Sequence, residues 1–216
     1  MSCCSPEELE LVNANKSTQH YRKGQFIYQE GSQALGLFCV HQGKVKLSKA
    51  AGDNKEQIVH LLHEGEVVGY RALVAGTRYT HSAVALEDCV VCFVPRPDFL
   101  RLVQANHQFA MVLMQLLAQA LGLAEQRMLH LAYKPVRERL AGALVLVQQT
   151  FHREGDALPF RIALGREDLA ALVGTAKETV SRLLSEFKDA GMIATRGSQI
   201  TILKTARLQE LATMYD

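Results

Sequence analysis

The sequence predicts an α+β chain in three parts: a β-sandwich or barrel, a long amphipathic helix, and a winged helix-turn-helix. Three observations lead there. Between Tyr21 and Pro95, short runs rich in Val, Ile, Phe and Tyr alternate with Gly and polar turns, the texture of an all-β region. After Pro97 the apolar period lengthens from two residues to about 3.6. Near the C-terminus a short helical pattern, a glycine and a second helical pattern are followed by two strand-like runs. The boundaries drawn from these changes are 1–106, 107–134 and 135–216.

The elements follow in order. Residues 6–16 read as a short helix, with Pro6 at the first position and Glu7, Glu8 and Glu10 in the first turn. The strand-like runs are FIYQ (26–29), LGLFCVHQG (35–43), KVKLSKA (44–50), EQIVHLL (56–62), VVGY (67–70), HSAVAL (81–86) and CVVCFVP (89–95). Asp98–Asn106 reads as a short helix and His107–Leu131 as a long one. On the long helix, Ala110, Leu113, Leu117, Ala120, Ala124, Met128 and Leu131 recur by threes and fours, with Phe109, Val112, Leu116 and Leu123 beside them. A face this wide can cover the barrel and still present a seam to a partner helix. The competing reading is a helix buried within a monomer; the dimer is favoured. Lys134-Pro135 breaks the helix. Val136–Phe151 is amphipathic and helical, residues 152–159 form a loop, and helices are expected over 166–173, 176–190 and 206–214, with strands at 192–195 and 200–203.

Composition narrows the function classes. Formal net charge is +2, and the segments on either side of the Arg137 boundary carry one net positive charge each, so any nucleic-acid claim must rest on local pattern. No unbroken apolar run approaches the roughly 18–20 residues of a membrane span. The start, MSCCSPEELE, has no signal-peptide pattern. Five cysteines, an odd number without an export signal, suit reduced thiols in the cytoplasm. No nucleophile elbow, phosphate loop or metal signature is present, so an enzyme is not expected and no metal site is assigned.

The most specific stretch is LGREDLAALVGTAKETVSRLLSEFKDAGMI (164–193). Ala170 lies in the first helix, Gly174 opens the turn, and Val180 and Leu183 form the inner face of the second helix. Thr175 is placed to cap that helix and Glu178 to complete a capping box. Lys177, Glu178, Ser181 and Arg182 share the outward face near its start, since residues four apart are helical neighbours. Arg can fork onto guanine O6 and N7, and Glu can accept from cytosine N4. Thr175, Thr179, Lys188 and, on the wing, Arg196 are candidates for the DNA backbone. The competing reading, a surface ion pair between 178 and 182, gives way to DNA contact in this setting of glycine turn and wing.

These residues resemble the cyclic-AMP receptor protein/FNR superfamily of bacterial transcription regulators over almost the whole chain. FIYQEGSQALGLFCVHQGKVKL (26–47) looks like that family's cyclic-nucleotide-binding β-barrel, a jelly roll. LAYKPVRERLAGAL (131–144) looks like its hinge, and VGTAKETVSRLL (173–184) like its recognition helix. The resemblance implies a homodimer joined along the long helix through Leu113, Leu117, Ala120, Ala124 and Met128. It implies double-stranded DNA and RNA polymerase as partners, and a ligand or redox signal that reorients the DNA-binding domains. The E-x-x-S-R pattern at 178–182 is similar to the FNR branch, which implies palindromes with TTGAT- or TTGAC-like half-sites.

The sensor positions depart from the cyclic-AMP pattern. The family's Gly-Glu pair for the ribose is here Gly69-Tyr70, its Arg-Ser pair for the phosphate is His81-Ser82, and its adenine-reading Thr-Ser pair on the long helix is Ala124-Glu125. Cyclic AMP is therefore not expected as the effector. Arg71 and Arg78 remain to hold another anion, against the plainer reading of solvated turn residues. The FNR branch's N-terminal cysteine triplet is missing, Cys3-Cys4 are adjacent, and Cys89 and Cys92 point to opposite faces of a strand. An iron–sulfur cluster is not expected, nor is haem from the scattered histidines; a thiol switch at Cys3-Cys4 stays open. Two alternatives remain beside the effector-responsive regulator. One is a ligand-independent regulator with a relic pocket. The other is a small-ligand or redox-sensing module whose helix-turn-helix serves protein contacts.

Overall fold

The computed structural model describes residues 10, 14–53, 55–152, 159–162, 164–197 and 199–213. Most of the helix expected over 6–16, and the Cys3-Cys4 pair, lie outside the described residues.

Two four-stranded sheets form the N-terminal region. One runs β1 (Ser17–Tyr21), β8 (Cys89–Pro95), β3 (Gly36–Gln42), β6 (Val67–Val68). The other runs β2 (Phe26–Tyr28), β7 (Ser82–Ala85), β4 (Val45–Ala50), β5 (Glu56–Leu62). Alternation of side chains explains the layering. On β3 and β8, Val40 and Val91 are direct antiparallel partners and both are fully buried. One position on, Cys39 and Cys92 are partners and only half-buried, on the opposite face. Phe38 and Phe93 return to the inner face, with ring centroids 5.1 Å apart. Full burial of one such apolar side chain stabilises the fold by about 1.5–3 kcal/mol.

Two departures from expectation concern this region. STQHY forms β1, a strand the apolar pattern did not signal. It is a mostly exposed edge strand, paired along its whole length with β8, so pairing rather than hydrophobicity defines it. The run VVGY is a strand only through Val68. Gly69 adopts φ 92°, and the chain turns directly into helix α1 (Tyr70–Ala75), which buries Ala72 and Leu73. A left-handed residue ends a strand and favours glycine, which is why the run breaks there.

The helices follow as α2 (Arg96–Ala105), α3 (His107–Tyr133) and α4 (Val136–Phe151), the last starting directly after Pro135. Pro135 has no N–H to offer α3 and a φ suited to the start of α4. Although α3 contains no unbroken apolar run of membrane-span length, it is long and apolar enough to cross a membrane by length and composition. Met111, Met114, Leu121, Leu123, Met128, Leu129 and Leu131 are exposed on it. Leu113 is not: at 5% exposure it belongs to the chain's own core, which corrects its place among the seam residues.

After β9 (Arg161–Ile162) come α5 (Arg166–Val173), α6 (Lys177–Asp189), β10 (Ile193–Arg196), β11 (Gln199–Ile202) and α7 (Thr205–Ala212). The two-residue β9 was not expected. It pairs with β11 and gives the wing a third strand, in the order β10-β11-β9. Two compact units emerge, Met1–Lys49 with Leu62–Glu125, and Ala50–Leu61 with Gln126–Asp216. The core of the second is built from Leu140, Leu144, Leu169, Val180, Phe187, Ile200 and Leu208.

Candidate nucleic-acid interface and sensor residues

Helix α5 stops at Gly174, which takes φ 71° and ψ 52° and donates its N–H to the Ala170 carbonyl at 2.9 Å. A left-handed residue at this position redirects the chain into a second helix at a steep angle. Helix α6 then begins at Lys177, with Ala176 as its N-cap and no side-chain capping bond. Thr175 therefore lies one residue too early to cap, and the expected capping box with Glu178 does not form. Backbone geometry sets the start of α6 instead of a side chain.

Helix α6 is strongly two-faced. Val180, Leu183, Leu184 and Phe187 are buried, while Lys177, Glu178 and Arg182 are exposed and Ser181 is partly so. The four predicted base-reading residues thus share the outward face of its first turn and a half. Their ion pairs differ from the expected one: Lys177 pairs with Glu167 on α5, and Arg182 pairs with Glu186 one turn on. Exposed pairs of this kind contribute about 0–1 kcal/mol, so both cations can exchange a carboxylate for phosphate or a base edge.

The predicted backbone contacts are more dispersed. Thr179 is half-buried near the start of α6. Lys188 lies in its last turn, about 16 Å along the axis from Lys177 at 1.5 Å per residue. Arg196 is exposed at the end of β10, opposite Gln199.

Several positioning contacts were not legible in the sequence. The Arg166 guanidinium donates to the Gly197 carbonyl at 3.1 Å, tying α5 to the wing turn. Arg137 lies 5.7 Å from the Phe187 ring centroid and 3.8 Å from Glu186. Arg139 donates to the carbonyls of Leu131 at 2.9 Å and Lys134 at 3.2 Å, and burial pushes its pKa below the usual guanidinium range. The Gln57 amide donates to the Leu172 carbonyl at 3.2 Å, near the end of α5. Apart from the Arg139 bonds, which span the Pro135 break, these contacts join residues distant in sequence, and no local spacing signals them.

In the barrel, His81 is buried. Its Nε2 lies 2.9 Å from the Tyr28 hydroxyl and its Nδ1 3.2 Å from the Thr80 hydroxyl. Tyr28 stacks on Tyr79 with centroids 4.0 Å apart, and Tyr79 donates to the Gly36 carbonyl at 2.7 Å. Burial first, and the Tyr79 hydroxyl second, push the Tyr28 pKa above the usual phenol range, against the pull of Arg71. Ser82 Oγ accepts the Glu30 N–H at 2.9 Å. The structure thus joins His81 to Tyr28 and, through Tyr28, to Tyr79, two residues the sequence reading missed.

The other candidates are not gathered with them. Arg71 is exposed on α1, and Arg78 donates from an exposed turn to the Gly31 carbonyl at 2.9 Å. Gly69 approaches Tyr79, whose ring would stand 3.2 Å from an added Cβ, and Tyr70 is half-buried. Ala124 and Glu125 are exposed on α3.

Comparison with known proteins agrees with this architecture. Residues 18–106 match the family model of the cyclic nucleotide-binding domain, and residues 138–211 that of the Crp-like helix-turn-helix domain. The chain is 32% identical to the transcriptional activator protein Anr of Pseudomonas aeruginosa, over 88% of this chain and 78% of that protein. It is 31% identical to the cyclic AMP receptor protein of Thermus thermophilus, over 96% and 94% respectively. Among solved structures, FixK2 from Bradyrhizobium japonicum superposes with a TM-score of 0.79 at 29% identity, covering 91% of this chain and 96% of that one.

Proposed function

The chain belongs to the Crp/FNR family of transcription regulators with a helix-turn-helix DNA-binding domain, and from that premise we propose that it reads palindromic promoter sites as a homodimer. The observation that carries the proposal is the exposed cluster Lys177, Glu178, Ser181 and Arg182 at the start of α6, held on a buried apolar face. Two such helices related by a two-fold axis read half-sites one helical turn apart, about 34 Å. Arg182 forks onto guanine and Glu178 accepts from cytosine in TTGAT- or TTGAC-like half-sites. Thr179 and Arg196 meet the backbone, with Thr175 and Lys188 as further contacts. The apolar face of α3 supplies the seam between protomers, through the half-buried Leu117 and Ala120 and the exposed Ala124 and Met128. RNA polymerase is the downstream partner, and the protein acts in the cytoplasm.

The sensor barrel in this reading is not a cyclic-AMP receptor. His81 occupies the phosphate-arginine position and is turned into the barrel on Tyr28 and Thr80, while Ser82 already accepts the Glu30 N–H. An effector of another class, or none, governs the regulator.

Selection from random DNA followed by gel shift tests the reading. Arg182→Ala is expected to lose roughly 1–3 kcal/mol of binding and its preference for guanine at one half-site position. Unchanged affinity and preference would refute the role of Arg182. Thermal shift with cyclic AMP and cyclic GMP tests the sensor, and a rise of several degrees with either would refute the second part.

A further inference from the structure

Five cysteines give no obvious pairing in the sequence, but the register of the first sheet places two of them side by side. Cys39 on β3 and Cys92 on β8 are direct antiparallel partners in the centre of the sheet, flanked by Val67 on β6 and Thr18 on β1. Both are free thiols and half-buried. Their neighbours in register, Val40 and Val91, are fully buried, so the two thiols share the opposite, outward face. We infer that Cys39 and Cys92 form a redox-active dithiol that a peroxide converts to an intramolecular disulfide linking β3 to β8.

The geometry suits the reaction. Directly opposed residues of an antiparallel pair have Cα atoms about 4.5 or 5.5 Å apart, and disulfides span Cα separations of about 4.4–6.8 Å. Opposed Cβ atoms lie about 4.5–5.5 Å apart, at or beyond the upper end of the disulfide range of about 3.5–4.5 Å. Closure therefore draws the strands slightly together, which makes the bond a reducible one rather than a permanent staple. Burial first, and the Cys92 thiol second, push the Cys39 thiol up, which lowers its thiolate fraction and slows the first step, so strand register and not thiol acidity selects this pair. Cys89 does not compete. It is buried, and its thiol donates to the carbonyls of Lys44 at 3.3 Å and Glu87 at 3.2 Å.

The chemistry balances with hydrogen peroxide as the oxidant. One thiol, as its thiolate, attacks a peroxide oxygen; the O–O bond breaks and the departing hydroxide takes a proton to become water. The resulting sulfenic acid is attacked by the second thiol. The S–S bond forms, the S–O bond breaks, and a second water leaves. The thiols lose two electrons and two protons, and the peroxide is reduced to two waters.

The test uses the full chain treated with hydrogen peroxide and then alkylated. Non-reducing peptide mapping is expected to show one peptide pair joined through Cys39 and Cys92, with the loss of two hydrogens, reversed by dithiothreitol. The same product is expected in a Cys3→Ser/Cys4→Ser/Cys89→Ser variant. Cys39→Ser is expected to lose the linked peptides and to leave Cys92 trapped as a sulfenic acid adduct with dimedone. Oxidation confined to Cys3 and Cys4, conversion of Cys39 or Cys92 directly to sulfinic acid in the wild type, or no reaction at either would overturn the inference. The wild-type map decides the matter even where a serine variant folds poorly.

Discussion

The Tyr28 hydroxyl and His81 Nε2 meet at 2.9 Å inside the barrel, with both residues buried. This contact makes His81, at the position where the family pattern has its phosphate-binding Arg, part of a packed aromatic corner. Tyr28→Phe removes the hydroxyl and leaves the imidazole without this partner. A buried polar group that loses its partner costs about 1–3 kcal/mol, so the urea midpoint is expected to fall accordingly. A change near zero would mean that the contact contributes nothing to the fold.

The same hydroxyl predicts an alkaline dependence. Its folded pKa is raised above the unfolded value of 10.0 by burial. The unfolded chain therefore releases this proton first, and the contribution is fully present below pH 10 and lost as pH rises above it. Tyr79 is shifted in the same direction, again by burial first. Stability measured from pH 9 to 11 is expected to fall for the wild type, and less steeply for Tyr28→Phe. Equal slopes would show that Tyr28 does not contribute.

Gly174→Ala tests the turn. The residue has φ 71°, and an added Cβ would stand 2.9 Å from Leu131 Cδ2 and 3.1 Å from Gln57 Oε1. A left-handed conformation alone costs a side chain roughly 1–2 kcal/mol. Lower thermal stability and weaker DNA binding are expected together. An alanine variant with wild-type melting would show that the turn relaxes without cost.

Thr175→Ala separates two roles of one residue. A true N-cap loses about 0.5–2 kcal/mol on such a change. Since Ala176 holds the cap position without a side-chain bond, the expected stability change stays within about 0.5 kcal/mol, while DNA affinity drops. A full capping loss in denaturation would place the start of α6 one residue earlier.

The exposed face of α3 predicts association. Leu121 is 61% and Met128 64% exposed, more apolar surface than a helix leaves to water without a partner. Sedimentation of Leu121→Glu/Met128→Glu is expected to give monomers with weakened binding to a palindromic site. A wild type that sediments as a monomer at micromolar concentration would remove the seam from the reading.

Helix periods, the glycine turn and the outward face at 177–182 were legible because they depend on neighbours within one or two turns of chain. The same local logic marked β3, β4, β5, β7 and β8. It failed for β1, which is defined by its ladder with β8 rather than by apolar alternation, and for β9, two residues long and fixed by β11. It also overran Val68, where Gly69 turns the chain into α1.

What the sequence determined by itself is therefore the class of the protein and the outward face at 177–182 that we propose for DNA contact: periodicity and side-chain chemistry are local properties. What only the tertiary structure decided is pairing across distance. Tyr28 meets His81, Arg166 meets Gly197, Arg182 turns to Glu186 rather than Glu178, and Cys39 faces Cys92. Except for the choice between Glu178 and Glu186, both one helical turn from Arg182, those partners are set by strand register and loop closure. Register depends on which faces are buried across a whole sheet, and no short stretch of sequence contains that information.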